Sequence, residues 1–509
     1  MKTKKAFVNL ITDVIPLIIV SILGIFKFKL FIQILGDETL GLYQLFTQVM
    51  VYVALIDGGL SSAVLYSLYK PNVEKDNTKF NALIAGAFKS FSLIGAAVFG
   101  VAFLASFIVP FLIKGNTFSY VYIIITFLLF SLSNVISYFF VPYHCLLEVK
   151  ERKYIVNLSL QIGQIVQSTL EIIMLLSKVP FLIILLMHSI IKLLSNIVIA
   201  YISKKRYPEA FVNKEKPDMS FTKNVKHLLF HKVNGLVCSN IDIILISRFL
   251  GLTSVAIYSA YNYIINMFKN ILGKISGSLL AIIGNELVKG SKKSYELFKE
   301  LNSMLFFLAT IVCVPLSLSI DQFIDIWYEG EIVSNSIIAA SFTAILFLYI
   351  VKMATNIFVN SKGLFKETRY CALTDTIINL VLSLILIKFI GIPGVLIATA
   401  ISVFVAEYIM KTVVIYKNIF NIKPWKHFLS NTKFFIIYIL DTLLGYYIIS
   451  YFNITNILTW FGIFIIYTIF NSLLILLLYR LMNETLFINR IKIIFKREKS
   501  HEKNIDTAK

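Results

Sequence analysis

Charge is scarce in this sequence, and negative charge is scarcer still. Charged residues make up 15% of its 509, and 28 acids face 48 lysines and arginines, a formal net charge of +20. An ordinary soluble domain carries about a quarter of its residues as charges, so that class is excluded. Cysteine is nearly missing. Cys145, Cys238, Cys313 and Cys371 stand far apart without a CxxC pair, which leaves neither a disulfide framework nor a metal site. The histidines (His144, His188, His227, His231, His427, His501) show no HExxH or other ligand spacing. There is no GxxxxGK[ST] loop for ATP and no GxSxG for a nucleophile. These gaps point away from an enzyme and from any resident metal or cofactor.

What fills the chain instead is hydrocarbon. Hydrophobic residues make up 58% of it and the mean hydropathy is +0.81. Apolar runs of 18 or more residues recur from end to end, each long enough to cross a core of about 30 Å as a helix. Buried helices of a large soluble protein would need hydrophilic helices around them, and the sequence has none. The start, "MKTKKAFVNLITDVIPLIIV", is basic and then apolar but lacks a small-residue cleavage site, so it is expected to be a retained first span. Breaks at charge clusters and Gly/Pro turns predict an all-α integral membrane protein of about fourteen spans. They fall near 8–33, 40–67, 81–112, 118–143, 154–176, 180–202, 227–249, 253–275, 300–322, 336–358, 368–390, 393–416, 433–452 and 457–479.

An even number of spans puts both termini on one side, and most lysines and arginines lie there. Only Lys114, Lys178, Arg248 and Lys388 fall on the opposite side or its rim. That bias predicts cytoplasmic termini. The basic tail is then a topology signal with some attraction for membrane lipids, and no nucleic-acid partner is expected. The stretch 203–226, "SKKRYPEAFVNKEKPDMSFTKNVK", is the longest clear cytoplasmic loop and divides the chain. The expected organisation is an N-terminal lobe over 1–202, a linker over 203–226 and a C-terminal lobe over 227–416. Two extra spans over 417–480 and a basic tail over 481–509 follow.

The two lobes share a phrase. "ILGDETLGLY" (Ile34 to Tyr43) joins spans one and two, and "FLGLTSVAIY" (Phe249 to Tyr258) joins spans seven and eight. Glycine precedes tyrosine by seven residues in both. A parallel repeat of six spans fits transporters built from two related bundles. Glycine serves the reversal of the backbone and tyrosine the headgroup depth.

Several stretches resemble Wzx-type polysaccharide flippases of the multidrug/oligosaccharidyl-lipid/polysaccharide (MOP) exporter superfamily. They are "ILGDETLGLYQLFTQ", "IDGGLSSAVLYSL", "SNIDIILISRFLGLTSVAIYSAYNYI" and "IDQFIDIWYEGEI". The resemblance implies two six-helix lobes in a V around a polar, often cationic, central cavity, plus two C-terminal helices. It implies a bacterial cytoplasmic membrane protein that moves a polyprenyl-diphosphate-linked oligosaccharide from the inner to the outer leaflet by alternating access. Coupling to H+ or Na+ and partnership with a polysaccharide polymerase and other assembly proteins belong to the same expectation. A cation-coupled drug or metabolite antiporter and a cell-wall lipid precursor flippase are the alternatives within the superfamily. The intramembrane surplus of base suits an anionic cargo better than a cationic drug.

An ionisable group at mid-membrane costs about 2.5–3.5 kcal/mol on insertion scales, so it faces a cavity or a partner. Lys27, Lys29, Lys89, Arg248, Lys269 and Lys352 are the candidate cations for diphosphate or acidic sugars. Lys192 and Lys274 are weaker candidates, and long cations near span ends also snorkel to the interface. Asp13, Val20 and Lys27 share one face of span one, and His231, Asn234, Cys238 and Asp242 share one face of span seven. Asp13, Asp57 and Asp242 are the candidates for ion coupling. Glu171, Asp375, Glu407 and Asp441 lie in other spans. For every acid the plainer role is to neutralise a nearby lysine or cap a helix. Tyr43, Tyr258, Tyr261 and Tyr263 are expected at the rim, as interface anchors or stacking surfaces for sugars.

Overall fold

A computed structural model describes residues 2–115, 117–212, 216–224, 241–287, 291–332, 334–452, 454–482 and 484. No strand occurs among them, and twelve stretches are long and apolar enough to cross a membrane. They coincide with expected spans one to six and nine to fourteen. The helices used below are α1 (Lys2–Leu35), α2 (Asp37–Val53), α3 (Leu60–Glu74), α4 (Asn77–Ile108), α5 (Tyr120–Tyr138), α6 (Val141–Val149), α7 (Lys153–Leu176) and α8 (Phe181–Arg206). After the linker come α9 (Asp242–Leu250), α10 (Leu252–Glu286), α11 (Ser291–Tyr328), α12 (Ser336–Val351), α13 (Met353–Lys362), α14 (Arg369–Ile390), α15 (Ile392–Ser402), α16 (Trp425–Ile449) and α17 (Ile457–Leu481). The expected eighth span falls in α10. Of the seventh only α9 is described, so His231, Asn234 and Cys238 lie outside the described residues.

Polar residues set the helix starts. Asp76 accepts from the Lys79 N–H at the head of α4, and Ser119 does the same for Tyr122 at the head of α5. Asn335 opens α12, and Asn456 forms a reciprocal capping box with Thr459 at α17. Each cap satisfies donors that a helix leaves orphaned, which matters most where no water is at hand.

Span two departs from the expected continuous helix. It breaks at "IDGG", where Gly58 and Gly59 take φ of 56° and 80° between a short 3-10 turn and α3. The Asp57 carboxylate accepts the freed Gly59 N–H at 2.8 Å. Irregular backbone inside a span survives only where such partners re-satisfy it. Span twelve also deviates, continuing α15 through π-helical stretches at Val403–Met410 and Tyr416–Phe420.

Contacts divide the chain into two compact units, Met1–Ser259 and Ala260–Lys509. In the first, α1 lies along α7, α5 along α8, and α9 rests on α2. In the second, α11 is the central element and packs against α12, α16 and α17.

Part of the linker is held in place by α4. The Asp218 N–H donates to the Ala82 carbonyl at 2.9 Å, and Asn81 donates to the Glu209 carbonyl at 3.0 Å. A Cβ on Gly86 would stand 2.0 Å from the Asp218 carbonyl oxygen, so glycine is what admits the strand of linker. Phe221 is buried in the same apolar cluster as Leu68, Phe80 and Leu83, a burial of about 1.5–3 kcal/mol.

Candidate functional site

The two repeated phrases fold into the same joint. Gly36 (φ 87°, ψ 158°) alone separates α1 from α2, and Gly251 (φ 98°, ψ 178°) alone separates α9 from α10. This backbone region belongs essentially to glycine. The joints also meet each other within the first unit. A Cβ on Gly41 would fall 2.1 Å from the Leu252 carbonyl oxygen, so the main chains approach as only glycine permits.

The position nine residues before each glycine carries the polar group of its joint. In the first it is Lys27, whose Nζ lies 3.4 Å from the Glu171 carboxylate of α7 and 5.8 Å from the centre of the Tyr43 ring. Glu171 is fully buried and also meets His188 Nε2 of α8 at 3.0 Å. In the second joint the position is Asp242, which accepts the Tyr258 hydroxyl at 3.1 Å. Tyr43 and Tyr258 thus hold matching places over groups of opposite charge.

Lys27 also borders a polar cavity of about 220 Å³ among α1, α7 and α8. Lys192, Gln164, Gln167, Ser168 and Ser195 line it too. Among the described residues no carboxylate pairs with Lys192.

The second unit has its own buried ion cluster. Glu407, on the first π-helical stretch, meets Lys411 at 2.6 Å and Lys352 at 3.6 Å. Lys411 also donates to Asn356 at 3.1 Å. Lys352 and Lys269 both approach the Tyr349 ring, at 5.9 and 5.8 Å from its centre. Asp375 interacts electrostatically with Lys352, Lys411 and Glu407, so the cluster holds two lysines and two carboxylates.

The other sequence candidates are dispersed. Lys29 is half-buried on α1, and Lys274 is exposed on α10. Lys89 on α4 and Arg248 in the last turn of α9 are exposed, with no ion pair among the described residues. Asp57 caps the span-two break. The side chain of Asp13 lies outside the described residues. Asp375 keeps one buried oxygen without a hydrogen bond, and Asp441 keeps both. Tyr258 and Tyr261 are buried rather than placed at a rim, because their hydroxyls serve carboxylates inside; Tyr261 donates to Asp321 at 2.6 Å. No group of three or more His, Cys, Asp or Glu side chains among the described residues is arranged to hold a metal.

Sequence reasoning names Glu171 and Glu407 without their partners, and it misses His188 and Lys411 as members of the clusters. The Glu407–Lys411 pair is legible, being four apart on one helical face. The Lys27–Glu171 pair joins helices far apart in the chain, and no local pattern marks it.

Among the described residues, apolar helical spans with buried lysine–carboxylate clusters and two glycine joints define a multi-pass membrane protein. Solved membrane proteins share this fold. The lipid II flippase MurJ in an inward closed conformation matches with a TM-score of 0.69 and 16% identity, covering 92% of this chain and 98% of that one. An inward-facing multidrug resistance MATE family transporter of the MOP superfamily matches with a TM-score of 0.62 and 13% identity, covering 77% and 92%. By sequence alone no curated protein matches. The family model described as polysaccharide biosynthesis protein does match, over residues 6–283, more than half of the chain. The protein belongs to that family.

Proposed function

We propose that this protein is a flippase that carries a polyprenyl-diphosphate-linked oligosaccharide from the inner to the outer leaflet of a bacterial cytoplasmic membrane, for surface polysaccharide, by alternating access. The observation that carries the reading is the match of residues 6–283 to the polysaccharide biosynthesis family. The chemistry agrees. A glycan head has hydroxyls that cannot cross hydrocarbon unsatisfied, while the lipid tail never has to leave it.

In this reading the termini are cytoplasmic, on the strength of the basic bias. The working lobes are 1–202 and 227–416, with 417–480 as an added helix pair. Lys29, Lys89, Arg248 and Lys269 meet the anionic head during passage, with Lys27 and Lys352 contributing from their ion clusters. Lys89 and Arg248 are the strongest of these, because each presents its charge without a carboxylate partner among the described residues. Asp13, Asp57 and Asp242 remain the proposed contacts for a coupling H+ or Na+. A polymerase and other assembly proteins would receive the product.

The test is deletion of the gene, with staining for surface glycan and extraction of lipid-linked oligosaccharide. Loss of surface glycan with lipid-linked units held on the cytoplasmic face is expected. Lys89→Glu and Arg248→Glu should each cut export about tenfold at unchanged protein level, the effect of about 1.4 kcal/mol. Intact glycan with new sensitivity to cationic drugs would assign the protein to the antiporters. Arrest of cell-wall synthesis would assign it to the precursor flippases.

A further inference from the structure

Two tyrosines near the end of span two are left uncovered by the protein. Tyr66 is 76% exposed and Tyr69 is 48% exposed, one turn apart on α3, and Val73 beyond them is 79% exposed. Exposed charges mark this end of span two as polar: the Lys70 and Glu74 side chains are 77% and 55% exposed on the same helix, and charged side chains avoid the hydrocarbon. Span three begins on the same side, at Asn77.

These tyrosines line a groove of about 610 Å³ between the adjoining ends of α3 and α4. Ser67, Lys70, Lys79 and Ser220 line it with them. Ser220 comes from the linker, and its position is fixed. The Ser220 N–H donates to the Asp218 carboxylate at 2.8 Å, while Asp218 and Phe221 are held against α4 as described above. The groove is therefore a built concavity of fixed helix ends and a clamped strap. Its volume lies in the range of binding sites for small organic molecules and far exceeds what one ion needs.

We infer that this groove is a saccharide-binding site that engages the glycan head of the cargo in the aqueous phase before translocation. The inference rests on the flippase reading for its ligand. Exposed tyrosine faces offer flat apolar surface to the C–H faces of sugar rings at low entropic cost. The serine hydroxyls and lysine ammoniums around them offer hydrogen bonds to ring hydroxyls. Lys70 and Lys79 also suit an acidic sugar, although Glu74, 3.8 Å from Lys70, takes part of that charge. The groove lies on the side from which α1 starts, the side on which the proposed cargo is made.

The experiment uses the full chain in nanodiscs of phosphatidylethanolamine and phosphatidylglycerol. The probe is the free oligosaccharide released by mild acid from the host's polyprenyl-diphosphate pool, with affinity measured by calorimetry. Tyr66→Ala with Tyr69→Ala should weaken binding by about tenfold or more, and Tyr66→Phe with Tyr69→Phe should restore it, since stacking needs the ring and not the hydroxyl. Ser220→Trp, which fills the groove and leaves both tyrosines, should weaken binding as strongly and guards against misfolding of the alanine pair. Wild-type binding left unchanged by the alanine pair and by Ser220→Trp overturns the groove while the flippase reading stands. The same holds if those variants shed only bound phosphatidylglycerol, which would assign the groove to a lipid headgroup. A wild-type protein that binds no oligosaccharide also overturns the groove, while the flippase reading stands or falls by the deletion.

Discussion

In the joint at Gly36 the residue nine positions before the glycine is Lys27; in the joint at Gly251 it is Asp242. Both joints use one glycine in the same extended, positive-φ conformation, and both place a tyrosine seven residues on. The surroundings differ. Lys27 lies against the fully buried Glu171, which His188 also contacts, whereas Asp242 is half-buried and accepts the Tyr258 hydroxyl. The repeat preserves the backbone that turns the chain and lets the chemistry diverge. Turn geometry depends on φ and ψ, which glycine alone satisfies here. The charge that a site tolerates depends on what the neighbouring helices bring.

That comparison can be broken in several ways. The largest effect is expected from Lys27→Asp, which copies the second joint into the first. It sets a new carboxylate beside buried Glu171 and should cost about 3–5 kcal/mol, read as a fall in the thermal unfolding midpoint of the purified protein. An unchanged midpoint would show that the first joint does not depend on its ion pair. Next is Gly41→Ala. Its Cβ meets a main-chain oxygen that cannot rotate away, and a loss of about 3 kcal/mol, toward the upper end for overpacking, is expected.

Gly36→Ala and Gly251→Ala should each cost about 2 kcal/mol through backbone strain, and they should cost the same. Clearly unequal losses would mean that the two joints are alike in sequence only. The smallest effect belongs to Asp242→Asn. The amide oxygen can still accept from Tyr258, and the loss of charge assistance to that bond should cost about 1 kcal/mol or less. A loss as large as that of Lys27→Asp would give Asp242 a buried ionic role beyond its hydrogen bond to Tyr258.

The fold was highly legible. Hydropathy placed twelve spans where the described helices lie, since a run of about twenty apolar residues has few other uses. The glycine joints were legible from spacing alone. The break at "IDGG" was not, although two adjacent glycines after an acid carry the signal of a capped turn. The candidate site was read unevenly. Lys27 and Lys352 were identified as intramembrane cations, yet their carboxylates come from other helices, and helix-to-helix register is not written in any local window. Tyr258 and Tyr261, expected at the rim, are buried for the same reason. Depth along a span can be counted, but the face a residue turns inward depends on what packs there.

By itself, then, the sequence determined that this is a helical membrane protein, where its spans run and where its chain reverses. Those properties follow from hydrophobic length and backbone freedom, both local. Only the tertiary structure decided which charges neutralise one another, that part of the linker clamps onto α4, and that Tyr66 and Tyr69 open into a groove with Ser220. Those properties depend on side chains from distant segments meeting at a few ångströms, where Coulomb energy and packing are steep functions of distance.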